Sequence, residues 1–154
     1  MTDSKQLTAS EAARNRVFAM EEKMQHGLPD DMELIDLPLR EFYADGCYVR
    51  EVFMPAGSFV TGRIHKHRHV SICSMGRMQV FDETGLKEVK AGDIFISEPG
   101  IKRALHMLED SRFINVLRMP DGIMEGDTDA LISHFTVATN EEFNHYLMHI
   151  DEVA

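Results

Sequence analysis

The sequence predicts an all-β sandwich or barrel with one helix at each end. Three observations carry this expectation. From residue 47 to 119 short runs rich in β-branched and aromatic residues alternate with Gly, Pro and Asp turn signals. Helical periodicity appears only near the two ends. The 154 residues, 44% hydrophobic and 27% charged, suit one globular unit with a sizeable core.

The elements follow in order. Residues 1–9 are polar and read as loose. Ser10 can cap a helix from about Glu11 to His26, with Gly27 as its stop. Ala13, Val17, Met20 and Met24 recur at helical spacing and make one apolar stripe. Pro29 to Pro38 is acidic and proline-bounded, so it reads as a connector. Strands are expected at Cys47–Met54, Ser58–Val60, Ile64–Met75, Met78–Asp82, Lys87–Lys90, Ile94–Ser97, Lys102–Leu108 and Arg112–Met119. The turns between them are Pro55-Ala56-Gly57, Gly62, Gly76, Glu83-Thr84-Gly85, Ala91-Gly92-Asp93, Pro99-Gly100 and Glu109-Asp110. Residues 120–130 read as a loop and Leu131–Val137 as a last strand. Thr139 or Asn140 then caps a helix to about Ile150. The chain divides into a helix and connector (1–38), a β domain (39–137) and a C-terminal helix (138–154).

Bulk properties narrow the function. A net charge of −10 would repel a nucleic-acid backbone, and the basic cluster Arg63, Lys66 and Arg68 is too small to reverse it. No run of about 18 apolar residues suits a membrane span. The N-terminus has no apolar signal core, so the cytoplasm is the expected compartment. Cys47 and Cys73 belong to no C-x-x-C pair and read as buried free thiols. No nucleophile elbow, phosphate loop or dinucleotide fingerprint occurs.

The chemistry concentrates in Arg63-Ile64-His65-Lys66-His67-Arg68-His69-Val70-Ser71-Ile72-Cys73. On a strand, alternate residues share a face, so Arg63, His65, His67, His69, Ser71 and Cys73 would lie together. Neutral imidazole is the commonest protein metal ligand. Residues four apart on a straight strand are roughly 13 Å apart, so His65, His67 and His69 reach one ion only if the strand bends. Without a bend they form a ladder of hydrogen-bonded histidines. Glu51 is a candidate ligand or base, or else a partner of a neighbouring arginine. His145 and His149 sit at i and i+4 on the last helix, where a solvated or interface face is the simpler reading. Val70 and Ile72 are apolar on the face away from the histidines, which predicts a covered outer face and a homodimer.

The closing Gly76, the turn Gly92-Asp93 and the turn Pro99-Gly100 resemble the punctuation of the two cupin motifs over residues 47–119. The resemblance implies a cupin-like jelly roll with flanking helices and a histidine-lined pocket. Counting back from Gly76, the family's glutamate falls at His69, its second histidine at His65 and its first at Arg63. The histidine of the second motif falls near Arg103, with His106 three residues later and of opposite parity. The set implied for a metal is therefore His65 and His69, with His67 and His106 as further ligands. The metal would be a divalent transition ion, with zinc, iron, nickel and copper equally suited. Arginines at ligand positions favour an anion instead, since a guanidinium grips a carboxylate or phosphate bidentately. Tyr48–Phe53, Thr61–Lys66, His69 and Pro99–Ala104 are also similar to cupin-like proteins of tailed phages and prophages.

Three functional readings follow. One is a phage-type binding module for a metal or small anion, without turnover, using Arg63, Arg103 and Glu51. Another is a metal-dependent oxygenase or isomerase acting on a small molecule. The third is a virion or assembly component.

Overall fold

The computed structural model describes residues 3–26 and 37–150. The expected stop at Gly27 and the connector through residue 36 lie outside them. Three helices and eleven strands follow in order: α1 Asp3–His26, β1 Leu39–Ala44, β2 Cys47–Met54, β3 Phe59–Thr61, β4 Ile64–His65, β5 His69–Met75 and β6 Arg77–Asp82. Then come β7 Gly85–Lys90, β8 Ile94–Ser97, β9 Ala104–Met107, β10 Ser111–Arg118, α2 Thr128–Phe135, β11 Thr136–Val137 and α3 Asn140–Met148.

The strands form a jelly-roll sandwich. A five-stranded sheet has the order β1-β2-β10-β5-β8, and a four-stranded sheet has the order β3-β9-β6-β7. Every pairing is antiparallel. Strands distant in sequence lie side by side: β10 sits between β2 and β5, and β9 between β3 and β6. One core cluster fills the space between the sheets, with Met54, Cys73, Met78, Val80, Met107 and Phe113 among its members. Burying such side chains is the main drive for sheet-on-sheet packing.

Gly76 makes the hairpin from β5 to β6 possible. Its φ is +84°, and a Cβ there would stand 2.8 Å from Ser111 Cα and closer still to Asp110 O and Ser111 Oγ. No side chain fits that space.

Three elements depart from the sequence expectation. β1 was hidden by Arg40 and Glu41, although its residues alternate between half-buried and exposed. Residues 128–135 are a helix, because Asp127 caps it by accepting from the Ala130 N–H, and Leu131 and Phe135 bury one face at i and i+4. Only Thr136 and Val137 remain extended. Helix α1 begins at Asp3, so Ser10 lies inside it. Its expected stripe holds for Ala13 and Val17, which are buried, and Arg14 is buried with them. Arg14 donates to the Gly100 carbonyl at 2.9 Å and to Asn140 Oδ1 at 2.6 Å, tying α1 to the loop after β8 and to the start of α3. Helix α3 starts as expected, with Thr139 accepting from the Glu142 N–H.

Among the described residues, no helix is long and apolar enough to cross a membrane. The outer face of the five-stranded sheet is largely apolar. Its registers align Phe42, Val49, Val116, Val70 and Ile96 in one row and Ile114, Ile72 and Ile94 in the next. Ile94 is 67% exposed and Phe42 and Ile96 are each 48% exposed.

Candidate functional site

The histidine segment is not one strand. Ile64 and His65 pair with Val137 and Thr136 of β11, the chain crosses at 66–68, and His69 re-enters the main sheet opposite Ser97. The His65 N–H donates to Ile101 O at 3.0 Å and the Lys66 N–H to Phe135 O at 2.8 Å, which fixes the break. The bend that three converging histidines would need is present, and it sorts them into two groups. His65 and His69 lie together, with ring centroids 4.6 Å apart. His67 turns the other way, stacked on His134 at 5.2 Å and edge-on to Phe135 and Tyr146.

Burial dominates the electrostatics of these rings. It pushes His65 down to about 3, helped by the neighbouring charges of His69, Arg103 and Arg50. Burial likewise lowers His69, His67 and His134. All four are neutral imidazoles at pH 7. His69 Nδ1 lies 3.0 Å from the His67 carbonyl and donates to it. His65 Nδ1, His67 Nε2 and His69 Nε2 are buried without a hydrogen-bond partner.

The other predicted site residues scatter. Arg103 is buried beside the pair, where its Nε donates to Asp82 Oδ2 at 3.3 Å and its Nη1 to Ser97 Oγ at 2.8 Å. Its plane lies over Phe95 at 4.9 Å. Arg63 is exposed and donates to Thr136 Oγ1 at 2.8 Å. His106 pairs in register with Phe59 and Gln79 and contacts Gln79 Oε1 at 3.3 Å, away from His65. Glu51 accepts from Arg40 and Arg112, each at 2.8 Å, on the outer face of the five-stranded sheet. Those two guanidiniums outweigh its burial and hold its carboxyl below the usual range. Cys73 sits in the core, and burial raises its thiol pKa, so it is no ready nucleophile. Cys47, expected to be buried, is exposed.

Between the sheets, on the inner side of β2 and β10, is a cavity of about 330 Å³. Its polar lining includes Arg50, Arg63, Arg103, His65, Asn115 and Thr136, and among the described residues no Asp or Glu lines it. Apolar walls come from both sheets and from Ile132 and Phe135 of α2. Sequence reasoning missed Arg50 and Asn115, which face each other directly across β2 and β10. The parity of β2 carried the signal: Tyr48, Arg50, Val52 and Met54 share one face, and all four line the cavity.

These residues do not fit a protein-held metal ion. Two imidazoles with unpartnered nitrogens are a start, but no group of three or more His, Cys, Asp or Glu able to hold an ion occurs among the described residues. The Arg103 charge also bears on both rings and opposes a second cation.

In sequence, no family model and no curated protein matches this chain. Solved structures similar to it include three with cupin or enzyme descriptions. Ectoine synthase from P. lautus is 16% identical, with 59% of this chain and 70% of that chain covered at a TM-score of 0.49. An RmlC-like cupin from Shewanella frigidimarina is 17% identical, covering 62% and 91% at 0.48. The Cupin_2 domain of an XRE family transcriptional regulator from Enterobacter cloacae is 8% identical, covering 55% and 97% at 0.47.

Proposed function

We propose that this protein binds a small organic anion in the cavity between its sheets, without turning it over. The observation that carries the reading is the lining: cationic and neutral polar groups on apolar walls, with no carboxylate among the described residues. Such a site favours negative charge, and its low-dielectric walls strengthen each guanidinium contact. The absence of turnover rests on the nearest candidate base and nucleophile. His65, pushed down to about 3, is a feeble base, and Cys73 is buried as a thiol.

Calorimetric titration with a panel of small carboxylates tests the reading. Binding in the micromolar to millimolar range is expected, and Arg50→Met should weaken it about 10–100-fold through loss of a charge-assisted contact. An Arg50→Met protein that folds normally and binds every carboxylate as well as the wild type would defeat the proposal. Elemental analysis of untagged protein runs alongside. Transition metal well below one ion per chain is expected; one ion per chain, lost in a His65→Ala/His69→Ala variant, would restore the metal reading.

The proposal extends to assembly. The apolar outer face of the five-stranded sheet suits a second copy of this chain. Two such faces can pack aligned about a two-fold axis, each row meeting its own equivalent. Light scattering should give twice the chain mass, and Ile96→Lys should return the monomer. A wild-type monomer at micromolar concentration would refute the dimer.

A further inference from the structure

We infer that the ligand is a monocarboxylate with an apolar tail, not a phosphate or a dianion; this rests on the anion reading above and narrows it.

The sheet register defines the shape of the site. On the inner face Arg50 stands opposite Asn115, and Asn115 opposite Ser71. On one side of this polar row, Leu39, Val52, Phe113 and Cys73 align across four strands. On the other side, Tyr48 stands opposite Leu117. On the β2–β10 wall the polar row is therefore flanked by apolar side chains, while Arg63, His65, Arg103 and Thr136 add polarity from other elements. The facing sheet adds Val60 and Leu105, which pair in register and both line the cavity. A carboxylate held at the Arg50–Asn115 row leaves the rest of its molecule against Val52, Phe113, Val60 and Leu105. A bare inorganic anion would leave those walls in contact with water, forgoing their burial.

The charge count sets the valence. Three guanidiniums line the cavity. Arg103 is already matched by Asp82 at 3.3 Å. Arg63 is exposed and donates to the neutral Thr136 hydroxyl, so its charge has no carboxylate partner among the described residues. Arg50 stands opposite Glu41 of β1, beyond ion-pair distance but near enough that its charge helps lower the Glu41 carboxyl. Three guanidiniums set against two carboxylates, Asp82 and Glu41, leave one net positive charge among the described residues, which balances one negative charge; a second would stay uncompensated in a largely apolar cavity. The volume, about 330 Å³, is at the low end for small-molecule sites, so the tail is short.

The test uses the full-length wild-type protein and five probes: acetate, butanoate, hexanoate, 1-hexanol and inorganic phosphate, each titrated calorimetrically. Each added methylene should tighten carboxylate binding about fourfold, making hexanoate roughly two-hundredfold tighter than acetate. Hexanol and phosphate should each bind at least about tenfold more weakly than hexanoate. A Val60→Thr variant should weaken hexanoate several-fold more than it weakens acetate. Equal affinity for acetate and hexanoate would overturn the tail and spare the anion reading. Phosphate binding more tightly than hexanoate would overturn the single-charge argument. Hexanol binding as tightly as hexanoate would defeat the anion reading and this inference with it, as would no binding by any probe at millimolar concentration.

Discussion

Replacing Arg103 by methionine should destabilise the fold by about 3 kcal/mol, the lower end of what breaking a buried ion pair costs. Arg103 is 8% exposed and Asp82 2% exposed. Removing the guanidinium leaves the Asp82 carboxylate in the core with one Thr84 N–H at 2.9 Å, the Thr84 hydroxyl, and Lys87 at 3.4 Å. Lys87 is partly exposed and screened by water, so it compensates only in part. The double change Arg103→Met/Asp82→Asn removes the stranded charge and should recover most of the loss, because the pair itself contributes little net stability. Guanidinium unfolding of both variants measures this. A single variant within about 0.5 kcal/mol of wild type would mean that Asp82 is solvated in practice. The same single variant should bind transition metals more tightly than wild type. The positive charge beside His65 and His69 is gone, and their unpartnered nitrogens remain.

Acid should unfold the protein early, and histidines should be the cause. His65 is pushed down to about 3 in the fold and titrates near 6.5 in the unfolded chain. Above pH 6.5 both states are neutral there and the histidine adds no pH dependence. Below it the unfolded chain takes a proton that the native state refuses, so stability falls with each unit down to about pH 3. For His65 alone the loss at pH 4.5 is about 3 kcal/mol. His67, His69 and His134, also lowered by burial, act in the same direction. The carboxylates act later. Asp82, Glu41 and Glu51 are held below their ordinary values, so their contribution is complete above about pH 4.5 and drains away only below it. Urea midpoints from pH 8 to pH 4.5 should fall steadily from about pH 6.5, less steeply in His65→Gln. A flat profile between pH 7 and pH 5 would show that the native state accepts protons on these rings.

The sandwich was legible because period-two alternation and turn residues are local signals, and they placed seven strands within a few residues of their observed limits; the eighth, expected over Ile64–Met75, is divided between β4 and β5. β1 escaped because adjacent Arg40 and Glu41 interrupt the apolar pattern, even though each has a partner across the sheet. α2 escaped because Leu131–Val137 is apolar enough to read as a strand; the Asp127 cap was the contrary signal. The site was half legible. Parity joined His65 to His69 but also included His67, since nothing local announces that residues 66–68 leave the sheet to meet Phe135 and Ser97. Arg50 and Asn115 are unremarkable in sequence and become a pair only through β2–β10 pairing across some sixty residues. That non-local register sets Arg50 between Glu41 and Asn115, whereas Arg103 is bound to Asp82.

The cavity draws its walls from Leu37 at one end to Ile132, Phe135 and Thr136 at the other, nearly the whole described length of the β domain. A ligand bound there as proposed would contact residues from nearly the whole β domain, so no sub-fragment would hold it. Occupancy is coupled to global cooperativity. A ligand at a hundred times its dissociation constant would add about 2.7 kcal/mol to the stability of the entire chain. For a protein of ordinary marginal stability, cellular lifetime would then track ligand supply, and its abundance would report on the concentration of the molecule it holds.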